Sequence, residues 1–135
     1  MKFLFTSIIL LIASFAMAQD THQLTVKINN AKTDDGHIVI SLSTQDQFLK
    51  AAAFKTAKVE IKEGQATAVF EDVPVGTYAV LVLHDMNGNG RMDYSNAGMP
   101  EEDYGMSNNP MSYGPPTWGD AKFDFEKDTE MIIRL

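Results

Sequence analysis

Cysteine is absent from the chain. That excludes disulfides, a thiol nucleophile and a lipid anchor on a processed N-terminal cysteine. Basic residues are also scarce, with 11 Lys and Arg against 18 Asp and Glu and a formal charge of −7. Such a balance argues against nucleic acid and anionic membrane surfaces as partners. It suits cation binding, and it equally suits solubility alone. Long apolar runs are missing except for one. Phe3 to Phe15 is broken only by Thr6, Ser7 and Ser14, follows Lys2, and leads into Ala16-Met17-Ala18. A short apolar run with that small-x-small ending is read as a secretory signal, too short and wrongly flanked to span a bilayer. Residues 1–18 are therefore expected to be removed, leaving a single domain over 19–135 without a membrane span. The mature protein is expected in the periplasm or outside the cell. No internal repeat or low-complexity run stands out.

What the chain does have is alternation. Leu24, Val26 and Ile28 share one face, as do Ile38, Ile40 and Leu42 after the turn Asp34-Asp35-Gly36. Each set marks a half-buried strand. His37 falls on the outward face and is expected to be solvated. Thr44 and Gln47 carry a capping-box signal, predicting a helical turn that sets Phe48 and Leu49 against an open end of the core. Ala57 to Lys62 and Gln65 to Glu71 alternate about Glu63-Gly64, a pair suited to a tight hairpin. Asp72-Val73-Pro74-Val75-Gly76 reads as a turn. Gly76 to His84 is apolar on both faces, so an element beyond the partner sheet must cover it. Ala121, Phe123 and Phe125, then Met131, Ile133 and Leu135, resume the alternation. Seven strands with short connections predict an all-β, antiparallel two-sheet sandwich.

The exception is Met86 to Gly119, a long loop between the fifth and sixth strands. Long loops of this kind are usually functional or disordered. Its Tyr94, Tyr104, Tyr113 and Trp118 argue for order, because disordered segments are poor in such residues. The loop is expected to fold as a cap over the two-faced strand. It opens with His-Asp-Met-Asn-Gly-Asn-Gly-Arg-Met-Asp at residues 84–93. Asp85, Asn87 and Asn89 supply oxygens at alternate positions, Gly90 turns the backbone, Arg91 offers its carbonyl and Asp93 takes the ninth place of a calcium loop. The twelfth is Asn96 rather than glutamate, so local residues alone would make a weak Ca2+ site. Glu102, in the acidic run Glu101-Glu102-Asp103, could fold back to supply the missing carboxylate. Asn-Gly pairs also serve any tight turn, and that plain reading stays open.

Phe70 to Val80 resembles the F-x-x-hydrophobic-P-x-G-x-Y-x-V signature of transthyretin-like sandwich domains. A closer resemblance runs through His84-Asp85-x-Asn87-Gly88-Asn89-Gly90-x-x-Asp93, Tyr104-Gly105-x-Ser107-Asn108-Asn109 and Gly114-Pro115-Pro116-x-Trp118-x-Asp120-Ala121-x-Phe123. Together these are similar to the small secreted bacterial family catalogued as domain of unknown function 2141. The resemblance implies a transthyretin-like or Ig-like fold and no activity. The expected function is a non-enzymatic extracytoplasmic module with a calcium-ordered cap and an envelope protein or small molecule as partner. The alternative is a small-molecule or glycan site built from His84, Tyr94, Tyr104, Asn108, Asn109, Tyr113 and Trp118. Catalysis is not expected. The chain has no G-x-S-x-G elbow and no H-E-x-x-H pair, and His84 and Asp85 point to opposite faces of a strand.

Overall fold

The computed structural model describes residues 19–111 and 114–135. The expected signal peptide lies outside the described residues, as does Tyr113. Among these described residues, eight strands and one short helix follow in the order β1 Thr21–Asn29, β2 His37–Ser43, β3 Lys55–Val59, β4 Ala66–Pro74, β5 Gly76–Asp85, β6 Tyr104–Met106, α1 Trp118–Ala121, β7 Phe123–Phe125 and β8 Thr129–Arg134. They form a sheet of order β4-β1-β8 and a second of order β3-β2-β5-β6, with β7 also on β5. The fold is nearly all β, in two sheets that do not close into a barrel.

The alternating residues meet where expected. Leu24, Val26 and Ile28 from one sheet pack with Ile38, Ile40, Leu42, Val80 and Val82 from the other, joined by Phe125 and Ile133. Two features depart from the seven-stranded antiparallel expectation. β8 runs parallel to β1, from Leu24 opposite Thr129 to Asn29 opposite Arg134. The irregular segment also contributes its own strand, β6, which pairs Leu81 with Met106 and Leu83 with Tyr104. Because the chain must return across the whole sandwich to lay β8 beside β1, local alternation carries no trace of that pairing.

The corners explain why the two sheets share a chain. Glu63 and Gly64 both take positive φ, 53° and 75°, and Lys62 and Gln65 exchange two backbone hydrogen bonds across them. The tight turn is as expected, yet it joins strands of different sheets. Asp34 holds it, accepting from the Glu63 and Gly64 amides. The expected turn at 72–76 is sharper still, since β4 ends at Pro74 and β5 begins at Gly76. Tyr78 pins this crossing by donating its hydroxyl to the Pro74 carbonyl at 2.8 Å.

Burial pushes the Tyr78 hydroxyl above its ordinary pKa, because the phenolate would lose its water. The folded chain thus holds this proton more tightly than the unfolded one. The resulting stability is complete below about pH 10 and is lost as pH rises through the folded value. Thermal melts are expected to lose less stability above about pH 10 in Tyr78→Phe than in wild type. At neutral pH the variant should be weaker by about 1 kcal/mol for the lost hydrogen bond. Equal alkaline slopes would remove Tyr78 as the cause.

Both faces of β5 are covered. Its outward Ala79 and Leu81 pack with Phe48, Met106, Ala121, Tyr104 and Trp118 in a second small core. Phe48 reaches it from the turn after Thr44, where Gln47 Oε1 accepts from the Thr44 amide as the capping signal predicts. The expectation for Leu49 is corrected: its φ of 55° turns it outward, and it is exposed. Ser107, fully buried, seals the seam where β6 gives way to β7 along β5. Its hydroxyl accepts from the Val80 amide and donates to the Ala121 carbonyl. Asn108 donates to the Asp120 and Lys122 carbonyls. Asn109 donates to the Ile132 carbonyl and accepts from the Arg134 amide, so its side chain lies along β8 as a neighbouring strand would.

Candidate functional site

β5 ends in His84 and Asp85, and strand alternation sends them to opposite sides. His84 enters the core side, 1% exposed, with Nε2 2.7 Å from the Asp35 carbonyl. A carbonyl only accepts, so Nε2 carries the proton there. The ring ties the β1–β2 turn to the end of β5. Gly36 completes that contact, for a Cβ built on it would lie 2.2 Å from the Asp85 carbonyl oxygen.

Asp85 faces the outer side and is 0% exposed. Its two oxygens accept from the Gly88 amide at 3.0 Å and the Gly90 amide at 2.7 Å. Asn87 Oδ1 accepts from the Asn89 amide, and Asn89 Oδ1 accepts from the Arg91 amide. The side-chain nitrogens of both asparagines donate to Asp93, one to each carboxylate oxygen. The spacing thus brings Asn87, Asn89 and Asp93 into one hydrogen-bonded ring, with Arg91 joined through its backbone amide and Asp85 holding the Gly88 and Gly90 amides of the same loop. Asn96 is not in that ring. It lies exposed in a further turn, where the Ser95 amide donates to the Met99 carbonyl.

Glu102 arrives from the other direction. The β5–β6 ladder continues past Tyr104 through a bond from the His84 amide to the Asp103 carbonyl, which sets Glu102 beside Asp85 on the outer side. Its Oε1 accepts from the Met86 amide at 3.1 Å. Oε2 is buried without a partner, in a residue only 6% exposed. Asp103, next along, pairs with Lys32 at 2.9 Å.

On the opposite flank of Asp85, β2 places His37 as its register partner. The solvated position expected for His37 is corrected: it is half-buried, and its Nδ1 is buried without a partner. The alternation gave its face, but only the strand register reveals what lies across from it. Glu102 and His37, the described residues with orphaned buried side-chain atoms, therefore lie on the chain segments either side of Asp85. Even so, among the described residues no three His, Asp or Glu side chains are grouped closely enough to hold a metal by themselves. A cation here needs amide and carbonyl oxygens as well, and must displace the asparagine nitrogens from Asp93.

The residues named for a small-molecule site are spread over several tasks. His84 and Tyr104 lie on opposite sides of their sheet. Tyr94 is exposed near an isolated bridge to Pro100. Trp118 stacks edge-on with Phe48 at 5.8 Å, and Tyr104 donates to the Gly114 carbonyl. Tyr104 and Asn109 do share a surface groove of about 380 Å³ with Pro110, Met111 and Arg134. No described helix is long and apolar enough to cross a membrane.

Comparison with known proteins returns one family. Residues 26–133 match the model of DUF2141, described as an uncharacterized protein conserved in bacteria. No curated protein and no solved structure matches the chain.

Proposed function

Since the chain belongs to the DUF2141 family, whose description carries no activity, we propose from the site alone that it is a non-enzymatic, exported module of transthyretin-like sandwich type that binds calcium in the Asp85–Asp93 loop. The observation that carries this reading is Glu102. An ionised carboxylate oxygen buried without a partner is destabilising unless a charge or donor meets it. A cation at the foot of the loop meets that need. Asp85, Asn87, Asn89 and Asp93 would hold it from the loop, with the Arg91 carbonyl and Glu102 beside them. Calcium accepts such a mixed oxygen set in flexible geometry, whereas magnesium demands a near-ideal octahedron.

Loading costs the two hydrogen bonds that the asparagines make to Asp93, so the affinity is that of an extracellular module, about 10⁻⁴ to 10⁻³ M. Glu102→Gln tests the assignment in two directions. Without calcium the variant should be more stable than wild type by about 1 to 3 kcal/mol, because the carboxylate oxygen buried without a partner is gone. With calcium its affinity should be weaker by about tenfold, the equivalent of 1.4 kcal/mol. Calorimetric titration and melting curves read both. Absence of heat and of any melting shift when calcium is added to wild type would end the proposal.

A further inference from the structure

The chain contains Asn-Gly at two places, Asn87-Gly88 and Asn89-Gly90, and both lie in this loop. Asn-Gly is chemically labile. The glycine backbone nitrogen attacks the asparagine side-chain carbonyl carbon, a carbon–nitrogen bond forms, and the side-chain nitrogen leaves as ammonia with the attacking amide's proton. Water then opens the five-membered imide to aspartate or isoaspartate. Glycine favours the attack because it has no Cβ to obstruct it and turns freely.

Two conditions must be met: the glycine nitrogen must be free to lose its proton, and the asparagine side chain must be free to swing onto it. Neither holds here. The Gly88 nitrogen donates to Asp85 Oδ1 and the Gly90 nitrogen to Asp85 Oδ2. Both attacking atoms are therefore bound by one carboxylate, itself 0% exposed and fixed at the end of β5. The negative charge also opposes formation of an amide anion beside it. The electrophiles are tethered as well. Asn87 and Asn89 each use Oδ1 to accept from the backbone two residues ahead and their side-chain nitrogen to reach Asp93.

We propose that Asp85 protects both Asn-Gly pairs from imide formation, and that Asn87 and Asn89 become sites of spontaneous deamidation when its hold is released. The proposal rests on the hydrogen bonds of the metal-free loop and stands whether or not calcium binds. The product matters to the loop, because each conversion places a carboxylate against Asp93 where an amide donor stood.

The test follows deamidation in mildly alkaline, chelator-containing buffer, with peptide mass mapping at residues 87 and 89 and an isoaspartate assay. The reference is the same mature chain held in urea. Folded wild type should react more slowly than the urea sample by about ten- to a hundredfold, as expected when a charge-assisted hydrogen bond must open before attack. Asp85→Ala, folded by circular dichroism, should lose the protection at both positions. Asp85→Asn keeps one acceptor oxygen and should expose one pair only. Equal rates in folded and urea-held wild type would overturn the proposal, and this comparison needs no variant to fold. So would a folded Asp85→Ala that keeps the wild-type rate, or an Asp85→Asn that exposes neither pair.

Discussion

Replacing Asn87 and Asn89 together by aspartate is expected to make the protein's stability depend on calcium. In the metal-free loop their side-chain nitrogens donate to Asp93. Aspartate removes both donors and sets three carboxylates against one another. Lost hydrogen bonds and like-charge repulsion should lower stability by about 1 to 3 kcal/mol in chelator. With calcium the same change adds two charged ligands. Ligand charge count sets where a calcium loop falls on its affinity scale, so the dissociation constant should drop by about tenfold or more. The melting temperature of Asn87→Asp/Asn89→Asp should lie below wild type in chelator and above it in millimolar-range calcium, about 4 °C for each kcal/mol. Curves that fall by the same amount in both conditions would mean that the loop is only a turn.

Gly36→Ala is expected to be the most damaging single substitution near the site, although it touches no proposed ligand side chain. A Cβ there would lie 2.2 Å from the Asp85 carbonyl oxygen and 2.6 Å from Met86 Cα, and Gly36 holds a φ of +71°. Both obstacles are backbone, so the β1–β2 turn must lift away from β5. That movement strips the Asp35 carbonyl from His84, a ring only 1% exposed. Steric overlap, a left-handed alanine and a lost buried hydrogen bond together amount to about 3 to 5 kcal/mol. Thermal unfolding should show a fall of about 10 to 20 °C. Gly88→Ala and Gly90→Ala are the controls. Their φ values are as positive, +75° and +76°, but beyond the adjoining residues the added carbon meets nothing within 4 Å. Each should lose only about 1 to 2 kcal/mol. Equal losses at all three positions would show that backbone conformation, and not the contact at Gly36, sets the effect.

Much of this arrangement was legible in the chain because it depends on neighbours in sequence. Alternation located the inward residues of β1, β2 and β5, and the two apolar faces of β5 called for the second core that Phe48, Met106 and Ala121 supply. Asn87, Asn89 and Asp93 join through side-chain hydrogen bonds because they lie close together in a stretch turned by two glycines. What stayed hidden depends on partners far away. Tyr104-Gly105-Met106 is too short to show a period, and it is a strand only because the exposed edge of β5 accepts it. Gly105 there has a packing reason, with the Arg134 carbonyl 2.6 Å from where a Cβ would stand. His37 has a face that alternation gives correctly, yet its burial comes from what the fold lays around Asp85. Asn96 had the right interval for a twelfth ligand, but the turn at Ser95 to Met99 carries it away.

The Asn109 side chain laid along β8 has a further consequence. β8 is the last strand of its sheet, and such a margin ordinarily invites another molecule to zip onto it and start a fibre. With the Ile132 carbonyl and Arg134 amide already taken by a side chain of the same molecule, that docking rail is closed at its end. One uncharged side chain thus guards the β8 margin of that sheet, while β4 forms the other margin.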